Sequence, residues 1–92
     1  MTGIYRITNL VNGKVYIGES SDISSRKQQH KWELEHGVHI NQHLQAAWNL
    51  YGENNFTFDV VEELPDGCTN SYRVMKEAEW IDKYGGVDSD QN

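Results

Sequence analysis

The chain has one cysteine, one proline, no long apolar run and no excess of positive charge. The lone Cys68 excludes an internal disulfide and fits a reducing compartment. Set in the turn Pro65-Asp66-Gly67-Cys68, it reads as incidental rather than nucleophilic. No stretch approaches the roughly 20 apolar residues of a membrane span, and Met1 is not followed by a signal-peptide pattern. A soluble, intracellular (cytoplasmic) protein with no disulfide partner and no membrane association is therefore expected. Nor is there an internal repeat or an interior linker, so the 92 residues make one small domain. A domain of this size buries about 60–65% of its unfolded surface, enough for one modest core. The net charge of −6 has the wrong sign for gripping phosphates.

Two short tripeptides near the start carry the strongest signal. Gly3-Ile4-Tyr5 and Tyr16-Ile17-Gly18 are separated by ten residues, with Asn12-Gly13 between them. Ile4–Thr8 and Lys14–Ile17 mix β-branched and aromatic residues, and Asn-Gly between such runs predicts a hairpin. Directly opposed residues of an antiparallel pair point to one face. A four-residue loop, Leu10 to Gly13, then sets Tyr5 opposite Gly18 with Tyr16 on the diagonal. The missing side chain at Gly18 is expected to leave an open pocket between the two phenols.

Downstream, Asp22 is placed to cap a helix running to about His36 and ended by Gly37. A second helix is expected from about Asn41 to Tyr51, with Leu44, Ala47, Trp48 and Tyr51 at i, i+3, i+4, i+7. Phe56 to Val61 alternates apolar and polar until Val61, which predicts a third strand. After a turn from Leu64 to Thr69, a helix is expected from about Asn70 to Tyr84. Val74, Ala78 and Ile81 would form its buried side, with Met75 and Tyr84 adjacent and Glu77 on its border. Gly85 to Asn92 reads as loop. The expected fold is α+β, sandwich-like: a small, mainly antiparallel three-stranded sheet flanked by three helices, in the order β-β-α-α-β-α.

The two tripeptides, with further positions at matching distances downstream, resemble the GIY-YIG nuclease family. The likeness spans roughly residues 3 to 84 and is greatest toward the catalytic domain of phage and bacterial intron-encoded homing endonucleases. It implies hydrolysis of phosphodiesters in double-stranded DNA with one Mg²⁺, for which Mn²⁺ can substitute. Two other readings stand beside it: a repair-type or structure-specific nuclease of the same family, and a non-catalytic interaction module that kept the fold. Loss of Arg26 or Glu77 would mark the last, and both are present.

Arg26 and His30 stand four apart on the first helix and so project from one face. The resemblance makes Arg26 the phosphate stabiliser and His30 its assistant. It also makes Glu77, three residues before Trp80, the metal ligand; periodicity alone does not choose between Glu77 and Glu79. Mg²⁺ suits one or two carboxylates plus substrate phosphates. Both motif tyrosines are candidates for the base, with Tyr5 favoured and Tyr16 orienting the water or phosphate. A tyrosine serves as a base near neutral pH only if a cation favours its phenolate, and Arg26, Lys14 and bound Mg²⁺ are the cations at hand. His39, after the helix-ending Gly37, is a supporting candidate by the same resemblance. His36 fits a helix C-terminus, where it complements the dipole. His39 and His43 are spaced to chelate zinc, but no third ligand supports it. The family's bracing asparagine would be Asn92 or lie beyond it, which suggests a fragment whose DNA-binding region follows.

The charge distribution tempers the acidic total. Residues 1–32 hold Arg6, Lys14, Arg26, Lys27 and Lys31 against Glu19 and Asp22, a balance of +3. Residues 33–92 hold three basic and twelve acidic side chains, a balance of −9. A basic mouth on an acidic body is expected to bind DNA weakly and to need a tethered DNA-binding domain.

Overall fold

The computed structural model describes residues 1–84; Gly85 to Asn92, and with them the expectation for Asn92, lie outside the described residues. Strands β1 (Gly3–Asn9), β2 (Val15–Ser20) and β3 (Phe56–Glu63) form one antiparallel sheet in the order β2-β1-β3. Helices α1 (Ile23–Glu35) and α2 (Gln42–Tyr51) join β2 to β3, and α3 (Asn70–Lys83) follows β3. Fold class and element order agree with the sequence reading.

The hairpin forms as its residues dictate. Asn9 N–H donates to the Lys14 carbonyl and Gly13 N–H to the Asn9 carbonyl, closing a loop of Leu10 to Gly13. Gly13 takes φ +75°, a conformation that costs glycine little. The register opposes Tyr5 to Gly18 and Ile7 to Tyr16. One face of the sheet thus carries Ile7 and Tyr16, packed against Leu34 of α1 and Leu44 of α2. The other carries Ile4, Val15 and Ile17, packed with Leu64 against Trp80, Ile81 and Tyr84 of α3. Burying each such aliphatic side chain is worth about 1.5–3 kcal/mol.

Gly3 explains itself here. A Cβ at this position would fall on the Glu62 carbonyl oxygen of β3, so the first motif glycine lets two strands pair closely. The pairing of β1 with β3 slips between Ile4 and Tyr5, where Tyr5 meets Val60 and Ile4 meets Glu62. Val61 is the extra residue of this bulge, which is why the alternation of the third strand breaks there.

α1 starts at the expected cap, where Asp22 accepts hydrogen bonds from Ser25 N–H at 3.2 Å and Ser25 Oγ at 2.9 Å. Those bonds hold the Asp22 carboxyl below the ordinary carboxylate range. The residues α1 buries are Ile23, His30 and Leu34, so a histidine occupies its core-facing stripe.

α3 departs from the expected stripe. Val74 and Met75 are 41% and 50% exposed and Ala78 is exposed too, whereas Glu77 is 6% exposed. Polar anchors rotate the helix. Arg73 reaches Glu19 of β2 at 3.2 Å, and Trp80 Nε1 donates to Glu62 of β3 at 2.9 Å. The sheet-facing residues are therefore Arg73, Glu77, Trp80, Ile81 and Tyr84, with Glu77 central rather than bordering. No helix among the described residues is long and apolar enough to cross a membrane.

Candidate active site

Tyr5 stands on the central strand, and its ring is fully buried. It stacks on Phe58 of β3, with ring centroids 4.8 Å apart. Its Oη lies 2.6 Å from His30 Nε2 and accepts a hydrogen bond from Arg26 Nε at 3.4 Å. Arg26 and His30, one turn apart on α1, thus converge on one phenol oxygen. His30 is buried while Arg26 is half-buried, so Arg26 is the partner on the solvent side of that oxygen.

The chain of contacts continues inward. His30 Nδ1 lies 2.7 Å from His39 Nε2, and the two imidazoles stack with centroids 4.9 Å apart. His39 Nδ1 accepts the backbone N–H of Asn41 at 3.0 Å. The His39 N–H in turn donates to Gln45 Oε1 at 3.0 Å. Gln45 Nε2 donates to the Leu34 carbonyl at the end of α1 and to Asn49 Oδ1, each at 3.0 Å. The sequence reading placed His39 near the site but missed Asn41, Gln45 and Phe58. Gln45 carried one signal, a polar side chain beside Leu44 on the apolar side of α2.

The other candidates divide. Tyr16 shares the Tyr5 face, is buried among Ile7, Leu34 and Leu44, and lies under the Lys14 ammonium, 5.6 Å from its ring centroid. Gly18 opposes Tyr5 as expected, yet Tyr5, Tyr16 and Gly18 are all buried. The open pocket expected between the phenols is therefore not found; Phe58 stacking and the His30 bond hold the Tyr5 ring inside the fold. A cavity of about 220 Å³ lies to one side instead, its lining including His30, Lys27, Lys31, Trp48 and Phe58. Glu77 is buried on α3, the helix whose Trp80, Ile81 and Tyr84 pack on the sheet face opposite to Tyr5, and its Oε2 accepts no hydrogen bond.

Arg6 belongs elsewhere than the basic mouth. It points to the α3 face, where it pairs with Asp59 and donates to Tyr84 Oη at 2.6 Å. The Asp59 carboxylate, followed by the Tyr84 hydroxyl, holds its pKa above the usual guanidinium value despite partial desolvation. The cations at the tyrosine face are Lys14 over Tyr16, Arg26 against Tyr5, and Lys27 over the Phe58 ring at 5.6 Å.

Among the described residues, two donor sets suit a metal ion. One is the Glu77 carboxylate. The other is His30, Glu33 and His39, one ligand atom of each lying within 4.8 Å of the others. His39 precedes α2 and pairs with His30 rather than His43, so the third ligand absent from the sequence reading is Glu33. Two imidazoles and a carboxylate suit a transition ion better than Mg²⁺. Such an ion would take ring nitrogens that now hold His30 to His39 and Tyr5, and His39 to Asn41.

Residues 1–88 match the GIY-YIG catalytic domain family. Intron-associated endonuclease 1 of Enterobacteria phage T4 is 41% identical over 64 residues. That match covers 70% of this chain but 26% of the phage protein, so the chain spans about a quarter of that relative's length. The solved catalytic domain of the homing endonuclease I-TevI superposes with a TM-score of 0.83 at 32% identity, covering 90% of this chain and 87% of that one. A mutant of the I-TevI catalytic domain gives 0.81 at 33% identity, over 95% and 91%.

Proposed function

The chain belongs to the GIY-YIG family of catalytic domains, and from that premise we propose that it hydrolyses phosphodiester bonds of double-stranded DNA in a divalent-metal-dependent reaction, as the catalytic part of a homing-type endonuclease. The observation that carries this reading is the convergence of Arg26 and His30 on the Tyr5 hydroxyl. A guanidinium donating to a phenol oxygen favours its deprotonated form, which is what a tyrosine base requires.

Tyr5 takes the proton of the attacking water. Arg26, on the solvent side, moves from the phenol onto the non-bridging phosphate oxygens, where its planar fork matches their geometry. His30 keeps its contact with the Tyr5 oxygen during that exchange, and His39 supports His30 from behind. Tyr16 orients the water or phosphate beside it, and Lys14, Lys27 and Lys31 neutralise neighbouring phosphates.

Glu77 would hold the metal, Mg²⁺ or Mn²⁺ in its place. A buried carboxylate is a fitting oxygen ligand for a hard cation. When bound, the ion supplies Lewis-acid stabilisation of the phosphate and leaving oxygen.

The acidic total and the quarter-length match to the phage relative support a domain brought to DNA by a tethered DNA-binding region. The test is a fusion to a DNA-binding module of known site, assayed for plasmid cleavage with Mg²⁺ and with EDTA. Metal-dependent cutting near that site is expected. A folded fusion that leaves the plasmid intact under both conditions would contradict the proposal.

A further inference from the structure

The contact chain from Asn41 to Tyr5 has a direction, and one backbone amide sets it. A peptide N–H only donates, so His39 Nδ1, which accepts from Asn41 N–H, carries no proton. In the neutral ring the proton then sits on His39 Nε2 and donates to His30 Nδ1, 2.7 Å away. That leaves His30 with its proton on Nε2, aimed at the Tyr5 oxygen 2.6 Å away. The reverse direction would place a proton on His39 Nδ1 against the Asn41 N–H, two donors facing each other in a buried place.

We propose that this relay has a fixed polarity, with His39 donating to His30 and His30 to Tyr5, and that Gln45 is the positioning residue that maintains it. The idea rests on Tyr5 being the base, and it adds what the histidines do there. They act as oriented donors to the phenol oxygen and do not receive its proton, because the ring nitrogen that faces Tyr5 is already protonated. The Tyr5 proton therefore leaves on the Arg26 side, toward solvent and substrate, and never inward.

Gln45 has the contacts for its part. Buried, it accepts the His39 N–H while donating to the Leu34 carbonyl of α1 and to Asn49 of α2. It thus pins the backbone of the α1–α2 connection, and with it the reach of Asn41 N–H to His39 Nδ1. Mislaying a catalytic contact by about 1 Å can cost a hundredfold in rate.

Long-range ¹H–¹⁵N correlation spectra of the histidine rings test this without an activity assay. Assignment uses His36→Gln and His43→Gln variants, both positions being exposed. Free imidazoles hold a mixture of tautomers, whereas His30 and His39 are expected each as one species, protonated at Nε2. Gln45→Ala should turn His39 into a tautomer mixture and slow cleavage roughly ten- to a hundredfold. Gln45→Glu keeps the acceptor for the His39 backbone N–H but sets an acceptor-only carboxylate against the Leu34 carbonyl and Asn49 Oδ1, so it should not restore the single tautomer. If Gln45→Ala does not fold, Gln45→Met makes the same comparison. Either wild-type ring protonated at Nδ1 would overturn the polarity, and tautomers unchanged in Gln45→Ala or Gln45→Met would overturn the role of Gln45. Tyr5→Phe cutting at the wild-type rate would instead remove the base assignment and leave the ring tautomers standing.

Discussion

Tyr5 Oη and His30 Nε2 meet at 2.6 Å across 25 residues of sequence, and both side chains are buried. This contact ties the central strand to α1 where Arg26 donates to the same oxygen. On the proposed mechanism function and fold share the bond, so variants must be judged by rate and by stability separately.

Arg26→Ala should lose at least about a hundredfold in single-turnover cleavage, the scale for removing one transition-state donor. Its stability should change by no more than about 0.5 kcal/mol, because the side chain is only half-buried. Arg26→Lys should recover little, since an ammonium lacks the planar fork. Normal cutting by the alanine variant would remove Arg26 as the phosphate contact.

Glu77→Gln keeps the size of a buried side chain and removes its charge. Calorimetric Mg²⁺ binding and metal-dependent cleavage should be lost together. Unchanged metal affinity would reject Glu77 as the ligand and turn attention to His30, Glu33 and His39.

Gly3→Ala should destabilise the fold by about 1–3 kcal/mol, because the new methyl meets the Glu62 carbonyl of the neighbouring strand. The rate per folded molecule should stay near wild type, which thermal melts combined with cleavage assays would check. A large rate loss with unchanged melting would mean that Gly3 serves chemistry rather than strand pairing.

Two carboxylates outside the site set an acid limb of stability. Asp22 is held below its ordinary value by the Ser25 hydroxyl and N–H, and Glu62 by the Trp80 indole and the Lys76 ammonium. A lowered folded pKa stabilises above the unfolded value and is lost as pH falls through the folded one. Stability should thus decline below about pH 4. Asp22→Asn combined with Glu62→Gln should flatten that decline in denaturant titrations. An unaltered acid limb would place its origin elsewhere.

Much of this was legible because local chemistry decided it. Asn12-Gly13 and the two alternating runs set a hairpin register that opposes Tyr5 to Gly18. Asp22 and Asn41 cap their helices as small polar residues do, each accepting from the N–H three residues on. What could not be read depended on partners distant in sequence. The α3 stripe was misjudged because Arg73 and Trp80 find carboxylates on β2 and β3, and those bonds outweigh the apolarity of Val74. Arg6 was counted toward the basic mouth, but Asp59 and Tyr84 hold it on the opposite face. Gln45 is not legible in the sequence because its contacts form only when the α1–α2 connection folds His39 back onto His30. Helix spacing predicted that Arg26 and His30 share a face; only the structure brings both to one oxygen.

The most direct test compares Tyr5→Phe with Tyr16→Phe in the fused enzyme, following single-turnover DNA cleavage against pH at saturating Mg²⁺. Tyr5→Phe removes the oxygen to which both Arg26 and His30 reach, and should abolish the alkaline rise in rate with the protein still folded. Tyr16→Phe should lower the rate and keep the rise. A Tyr5→Phe enzyme that retains the rise, or a Tyr16→Phe enzyme that loses it, would contradict Tyr5 as the base.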